Sequence, residues 1–241
     1  MARTVRVALE ELREGEHPVT GDPARYLTRV LRLREGARFT AFDPAARVEA
    51  EATLLAVERE RVLARFERPS PASVVGSGNV TLIQCAGKGD KVDEVVRAAT
   101  ALGAGRIVIA TSERSVARGT ATSERSARLN TIALDAARQS GRGDLPLIEG
   151  PLVLADLLGA ARENTALKLC LEPTAERPFG QALGERGGRP LVVLIGPEGG
   201  FSDAERDAAE HAGFALVRLG ALVLRTELAA VAVLGALLAT E

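Results

Sequence analysis

The spacing of apolar and polar positions changes character once along the chain, near residue 70. Before that point, residues 5–9, 37–42, 48–55 and 61–66 alternate apolar with polar, the period of a half-buried strand. One helix-spaced stretch, residues 23–33, interrupts them. Together these predict a small β-rich domain over residues 1–72. Pro69-Ser70-Pro71-Ala72-Ser73 and then Gly76-Ser77-Gly78-Asn79 have the composition of a linker or exposed turn. Beyond them, apolar runs at 80–85, 106–110, 167–171, 191–195 and 215–219 alternate with helix-spaced segments at 92–102, 123–140, 204–212 and 227–239. Strand–helix alternation predicts a mostly parallel α/β sheet with helices on its faces over residues 73–241.

Composition narrows the functional classes. With 241 residues and 46% hydrophobic content the chain can bury a sizeable core, which excludes a disordered protein. The 31 basic side chains against 32 acidic ones exclude a polycation and an acidic tail protein. Almost all the basic residues are arginine, with lysine only at positions 88, 91 and 168, a bias read here as compositional rather than catalytic. Cys85 and Cys170 form no CxxC motif and no disulfide framework, and His17 and His211 lie far apart, so no metal site is expected. The opening MARTVRVALEEL lacks an apolar core of signal-peptide length. The most apolar stretch, residues 228–239, falls short of the roughly 20 residues a membrane helix needs. The expectation is a cytoplasmic protein with no membrane association.

Two stretches carry candidate chemistry. Residues 191–195 form an apolar strand that runs into Gly196-Pro197-Glu198-Gly199-Gly200 and then Phe201-Ser202-Asp203-Ala204-Glu205. Ser202 and Glu205 have capping-box spacing, so the glycine-rich loop ends at a helix N-terminus. Loops of this kind at strand ends approach ligands closely in α/β sheets, and Glu198 adds a carboxylate. A tight turn without a ligand fits these features equally well. Familiar phosphate and nucleophile signatures are missing: there is no GxxxxGK[ST], GxGxxG or GxSxG. The second stretch is Leu219-Gly220-Ala221-Leu222-Val223-Leu224-Arg225-Thr226-Glu227-Leu228-Ala229, with Thr226 as the expected cap of the last helix. In so apolar a neighbourhood, Arg225 and Glu227 either pair with each other or face a polar ligand.

GPEGG with FSDAE behind it, followed by LGALVLRTELAA, resembles the C-terminal signature of the RsmE family, the 16S ribosomal RNA uridine-N3 methyltransferases of the SPOUT superfamily. Upstream, Ala24-Arg25-Tyr26-Leu27-Thr28-Arg29-Val30-Leu31-Arg32-Leu33-Arg34-Glu35-Gly36 is similar to the helix and turn of that family's N-terminal domain. Leu102-Gly103, Ser112-Glu113-Arg114, Gln139-Ser140-Gly141-Arg142 with Pro146, and Leu171-Glu172-Pro173 are similar to further family landmarks, in the family's order.

The resemblance implies a PUA-like RNA-binding β-barrel followed by an α/β SPOUT domain with a C-terminal trefoil knot, and a homodimer packed through the knotted region. It implies S-adenosylmethionine as cofactor, held by Leu171, Glu172 and Pro173, by Ile195, Gly196, Pro197, Glu198, Gly199 and Gly200, and by Leu219, Gly220, Leu222, Leu224, Arg225, Thr226 and Glu227. Methylation of uridine N3 requires the imide proton to leave and the developing anion to be stabilised. Arg225 is the first candidate for the stabilising cation and Arg142 the second, with Glu227 or Glu198 as proton acceptor. Arg25, Arg29, Arg32, Arg34 and Arg38 around Glu35, and the arginines between residues 106 and 142 (Arg114, Arg118 and Arg142 among them), form two basic patches on a nearly neutral chain. Such patches suit 16S ribosomal RNA or the assembled small subunit as partner. Several family positions differ. Tyr26 stands where histidine is usual, Ala98 and Ala101 where Lys and Glu are common, Arg138 in place of Glu, Leu222 in place of Arg and Leu228 in place of Thr. Two other readings stay open on sequence: a ribosome-assembly RNA-binding protein that keeps the fold without catalysis, and a SPOUT methyltransferase acting on another RNA.

Overall fold

A computed structural model describes residues 5–58, 61–87, 91–115, 122–160 and 165–239; Lys88 and Arg118 lie outside them. The chain forms two compact units, residues 1–75 with 134–145, and residues 76–133 with 146–241.

The first unit contains β1 (Arg6–Ala8), β2 (Gly15–Thr20), α1 (Gly21–Arg25), β3 (Arg38–Asp43), β4 (Val48–Val57), β5 (Arg61–Phe66) and β6 (Ser70–Pro71). Its sheet runs β1-β3-β4-β5-β2, with β6 on β4. Only β1 and β3 pair in parallel. Period-two alternation buries Ala52 and Leu54 of β4 and Val62, Ala64 and Phe66 of β5, and these meet Val7, Val19, Leu27 and Phe39 in one core. The helix expected at 23–33 is shorter and changes form. It is α1 followed by a π-helical turn, Tyr26–Val30, in which the Leu31 amide donates to the Tyr26 carbonyl at 2.9 Å. Arg32, at φ +53°, then ends it. Strand β2 escaped the sequence reading because Gly15 and Pro18 look like breakers; Pro18 is tolerated because β2 pairs on one side only, with β5.

The second unit contains β7 (Ser77–Cys85), α2 (Lys91–Ala101), β8 (Ala104–Thr111), the start of α3 (Ser123–Ser140), β9 (Leu147–Val153), α4 (Leu154–Ala160), β10 (Leu167–Leu171), α5 (Phe179–Gly184), β11 (Leu191–Ile195), α6 (Asp203–His211), β12 (Ala215–Val217) and α7 (Thr226–Leu238). The sheet order is β12-β10-β11-β7-β8-β9, and every pairing is parallel. The near-continuous apolar runs of β10 and β11 suit strands covered on both faces. One face carries Ile83, Cys85, Val108, Cys170 and Leu194 against Leu154 and Leu158 of α4 and Ala209 of α6. Helix α2 packs on β7 and β8, and α7 packs on β11 and α2. Strand β9 was missed because Gly150-Pro151 interrupts its apolar run; it is the other edge of the sheet. Strand β12 is shorter than the expected 215–219, because Arg218 leaves the ladder for a single bridge to Pro178.

Both cysteines are free and buried. Burial pushes the Cys85 thiol up to about 12, and burial raises Cys170 as well. Thiolate is the reactive form, so both thiols should be inert in the native state. At pH 8 a chromogenic disulfide reagent should label neither within minutes, and both in guanidinium; rapid native labelling would contradict the burial of Cys85 and Cys170 in the core beneath α4 and α6.

Candidate active-site cleft

Because β12, β10 and β11 are neighbours and point the same way, their C-terminal ends open on one edge of the sheet. Ligands in open α/β sheets bind at that edge. Here the three following loops wall a cleft of about 550 Å³. The first wall is Leu171, Glu172, Pro173 and Thr174; the second runs from Ile195 to Phe201; the third is Leu219, Gly220 and residues 222–226. Arg114, Arg206, Val217 and Ala229 complete the lining. The cleft therefore joins apolar side chains and exposed loop backbone with a few charges, the mixture that binds an aromatic heterocycle carrying a polar tail.

Local chemistry fixes the middle loop. Ser202 and Glu205 form the expected capping box: the Glu205 amide donates to Ser202 Oγ at 3.3 Å, and the Ser202 amide donates to Glu205 Oε2 at 3.0 Å. The other Glu205 oxygen accepts from the Glu113 amide at 2.7 Å, tying this helix start to the loop after β8. The neighbouring Arg114 donates to the Gly199 carbonyl at 3.0 Å. Phe201 is buried beneath the loop, and Gly200, at φ +68°, takes a backbone conformation that a side chain would strain.

Glu198 does not stand alone in that loop. Its carboxylate lies against Gly87, where a Cβ would come within 2.8 Å of Oε1, so a larger residue there would displace the carboxylate. The Lys91 ammonium, on the first residue of α2, pairs with Glu198 Oε1 at 2.9 Å and with Glu227 Oε2 at 3.5 Å. The hydrogen bond to Glu198 holds Lys91 above the ordinary lysine range. Lys91 is a site residue that the sequence reading passed over. The available signal was its place at the start of a helix directly after a central strand.

The third loop corrects one expectation. Thr226 is the first residue of α7, not its cap; the cap position belongs to Arg225, whose side chain makes no capping bond. Arg225 and Glu227 do not pair with each other. Glu227 turns to Lys91, whereas Arg225 is exposed on the cleft wall and makes no ion pair among the described residues. Of the residues named for the cofactor, all but Glu227 line the cleft.

Arg142 belongs to the first unit and does not line the cleft. It is 2% exposed, and its guanidinium grips Asp144 at 2.5 and 3.3 Å. Breaking such a buried pair costs stability, so the geometry gives Arg142 a structural part. Arg25, Arg29, Arg32 and Arg34 are exposed on α1 and the turn after it. Arg25 pairs with Asp22, and Arg29, Arg32 and Arg34 make no ion pair among the described residues. Two of the departures from the family pattern form one contact: Arg138 stacks over the Tyr26 ring at 4.3 Å. Among the described residues no helix is long and apolar enough to cross a membrane.

Comparison with known proteins places these features. The family profile of an RNA methyltransferase domain matches residues 76–238, and that of an RNA methyltransferase PUA domain matches residues 19–67. The ribosomal RNA small subunit methyltransferase E of Mycobacterium bovis is 31% identical over 227 residues, covering 90% of this chain and 84% of the relative. The protein of the same name from Synechocystis is 31% identical over 232 residues, covering 93% and 73%. A crystal structure of the Neisseria gonorrhoeae ribosomal RNA small subunit methyltransferase E, bound to S-adenosyl methionine, superposes with a TM-score of 0.87 at 29% identity, covering 98% of both chains.

Replacing Ser202 by Ala removes the capping box at the cleft's middle loop. The expected loss is about 1 kcal/mol of stability, read as a lower denaturant midpoint. An unchanged midpoint would mean that the bond from Glu113 alone fixes the start of α6.

Proposed function

The chain belongs to the RsmE family of SPOUT RNA methyltransferases, and from that membership we propose that it methylates uridine N3 in 16S ribosomal RNA, using S-adenosylmethionine. The observation that carries this reading is the cleft at the ends of β10, β11 and β12, whose lining contains the GPEGG segment and Leu224-Arg225-Thr226 of the LRTE segment. The residues present fit the cofactor. Leu171, Ile195, Leu219, Leu222 and Leu224 supply apolar surface for an adenosine, with the loop backbone between them for hydrogen bonds. Glu172, Glu198, Arg114 and Arg206 supply charges for an amino-acid tail. When bound, the cofactor supplies a methyl group already activated by its sulfonium, so the transfer needs no metal.

What remains for the protein is to orient the base and manage one proton. Uridine N3 bears a proton at neutral pH, and negative charge spreads onto the two flanking carbonyl oxygens as that proton leaves. Arg225, exposed on the cleft wall, supplies the cation that stabilises this charge. Glu198 lines the cleft and Glu227 does not, so Glu198 is the carboxylate placed to accept the proton. The first unit contributes RNA contacts through Arg29, Arg32 and Arg34.

The finer features of the family belong to the same proposal: a trefoil knot in the segment carrying the three loops, a homodimer, and action in the cytoplasm on the small subunit. Support for the dimer comes from α7. It is apolar all round, yet Leu228 and Leu238 are 51% and 55% exposed, and Leu222 and Val223 before it are 79% exposed. A helix without a polar face is normally covered on every side, and a second copy would cover it.

Purified 30S subunits lacking the modification, incubated with labelled S-adenosylmethionine, should accumulate label as 3-methyluridine. Label in another nucleoside would assign a different target, and no label would favour a non-catalytic RNA binder. Arg225→Ala should lower the methyl-transfer rate by about a hundredfold or more with the thermal midpoint unchanged; an unaltered rate would remove Arg225 from the mechanism. Replacing Arg29, Arg32 and Arg34 together by Gln should weaken subunit binding and flatten its dependence on the logarithm of salt by about two to three in slope. An unchanged slope would place the RNA elsewhere.

A further inference from the structure

Lys91 makes contacts that a surface lysine has no need of. Its nitrogen lies within 3.5 Å of carboxylates from two different cleft segments, Glu198 after β11 and Glu227 in the first turn of α7. The three residues come from places far apart in sequence. They meet where β7 and β11 lie side by side while the chain leaves them in opposite directions, to β8 on one side and toward β12 on the other. The Lys91 side chain is 26% exposed, and those of Glu198 and Glu227 are 32% and 12% exposed, so solvent reaches the cluster without dissolving it. The only other lysine among the described residues, Lys168, is buried on β10 and donates to the Ala212 carbonyl at the end of α6.

We propose that Lys91 is a positioning residue of the cofactor cleft: it clamps the glycine-rich loop to the start of α7 and neutralises the repulsion between Glu198 and Glu227, which fixes the spacing of two cleft walls. The inference rests on the reading of the cleft as the S-adenosylmethionine site. The GPEGG loop has few side chains with which to hold itself, and its far side is pinned by Arg114 on Gly199 and by the Ser202 cap. Its near side faces Gly87, which offers no side chain, and is held by Lys91 through Glu198. Without the ammonium, two carboxylates that shared one cation face each other, and the loop is the part free to move away. The cofactor would then meet a cleft that is too wide.

The experiment is calorimetric titration of S-adenosylmethionine into the full-length protein and its variants, with the thermal midpoint recorded for each. Lys91→Met should weaken binding at least tenfold while the midpoint moves little, because partly exposed ion pairs contribute little to stability. Lys91→Arg should stay within threefold of the wild type. Adding Glu227→Gln, at a residue outside the cleft lining, to Lys91→Met should recover at least half of the lost affinity on a logarithmic scale, because the change removes the repulsion. Loss of the lysine's packing alone would not be repaired by neutralising a carboxylate. Lys91→Met binding within threefold of wild type, or a Lys91→Met with Glu227→Gln double variant no tighter than Lys91→Met, would overturn the proposal while leaving the cofactor reading intact. A wild-type protein that does not bind S-adenosylmethionine would overturn both.

Discussion

Parallel pairing of β10 with β11 on one side and β12 on the other brings three loops to one edge of the sheet, and the candidate site depends on that pairing. Residues 171, 195 and 219 are too far apart in sequence for any local motif to join them. They become neighbours because parallel strands all end on the same side, and because the chain inserts β11 between β10 and the earlier strand β7. An antiparallel arrangement of the same segments would send one loop to the opposite edge and leave no cleft.

Global topology places the loops, and short-range chemistry then shapes them. The middle loop is held on one side by a helix cap, by the Glu113 amide on Glu205 and by Arg114 on a backbone carbonyl. On the other side it is held by an ion-pair cluster centred on Lys91. The cleft walls themselves are mostly backbone and aliphatic carbon. Recognition through backbone tolerates substitution of side chains, so departures such as Leu222 leave the cleft lining in place. The first unit shows the same economy in another form: Tyr26 and Arg138, each unlike the family pattern, stack on one another.

The sequence made the alternation of strands and helices legible because each element carries its own hydrophobic period, and the bounds at 167–171, 191–195 and 123–140 coincide with the structure. Elements whose period is broken by Gly or Pro, β2 and β9, were not legible, since their edge positions tolerate breakers that a central strand would not. The strand order was beyond reach, because periodicity records a face and not a neighbour. Within the site, the loops after β11 and β12 announced themselves through glycine and charge. Lys91 did not, because its meaning comes from carboxylates more than a hundred positions away. Arg142 misled for the complementary reason: a charged residue in a polar stretch reads as exposed, yet Arg142 is buried and its charge is paired with the equally buried Asp144.

The most direct test of the central claim is the crystal structure of this protein with S-adenosylmethionine bound. The account predicts density in the cleft formed by the three strand-end loops, with the adenine among Leu219, Leu222 and Leu224 and the glycine-rich loop alongside it. Density confined to another surface, or a cleft that stays empty at saturating cofactor, would contradict it.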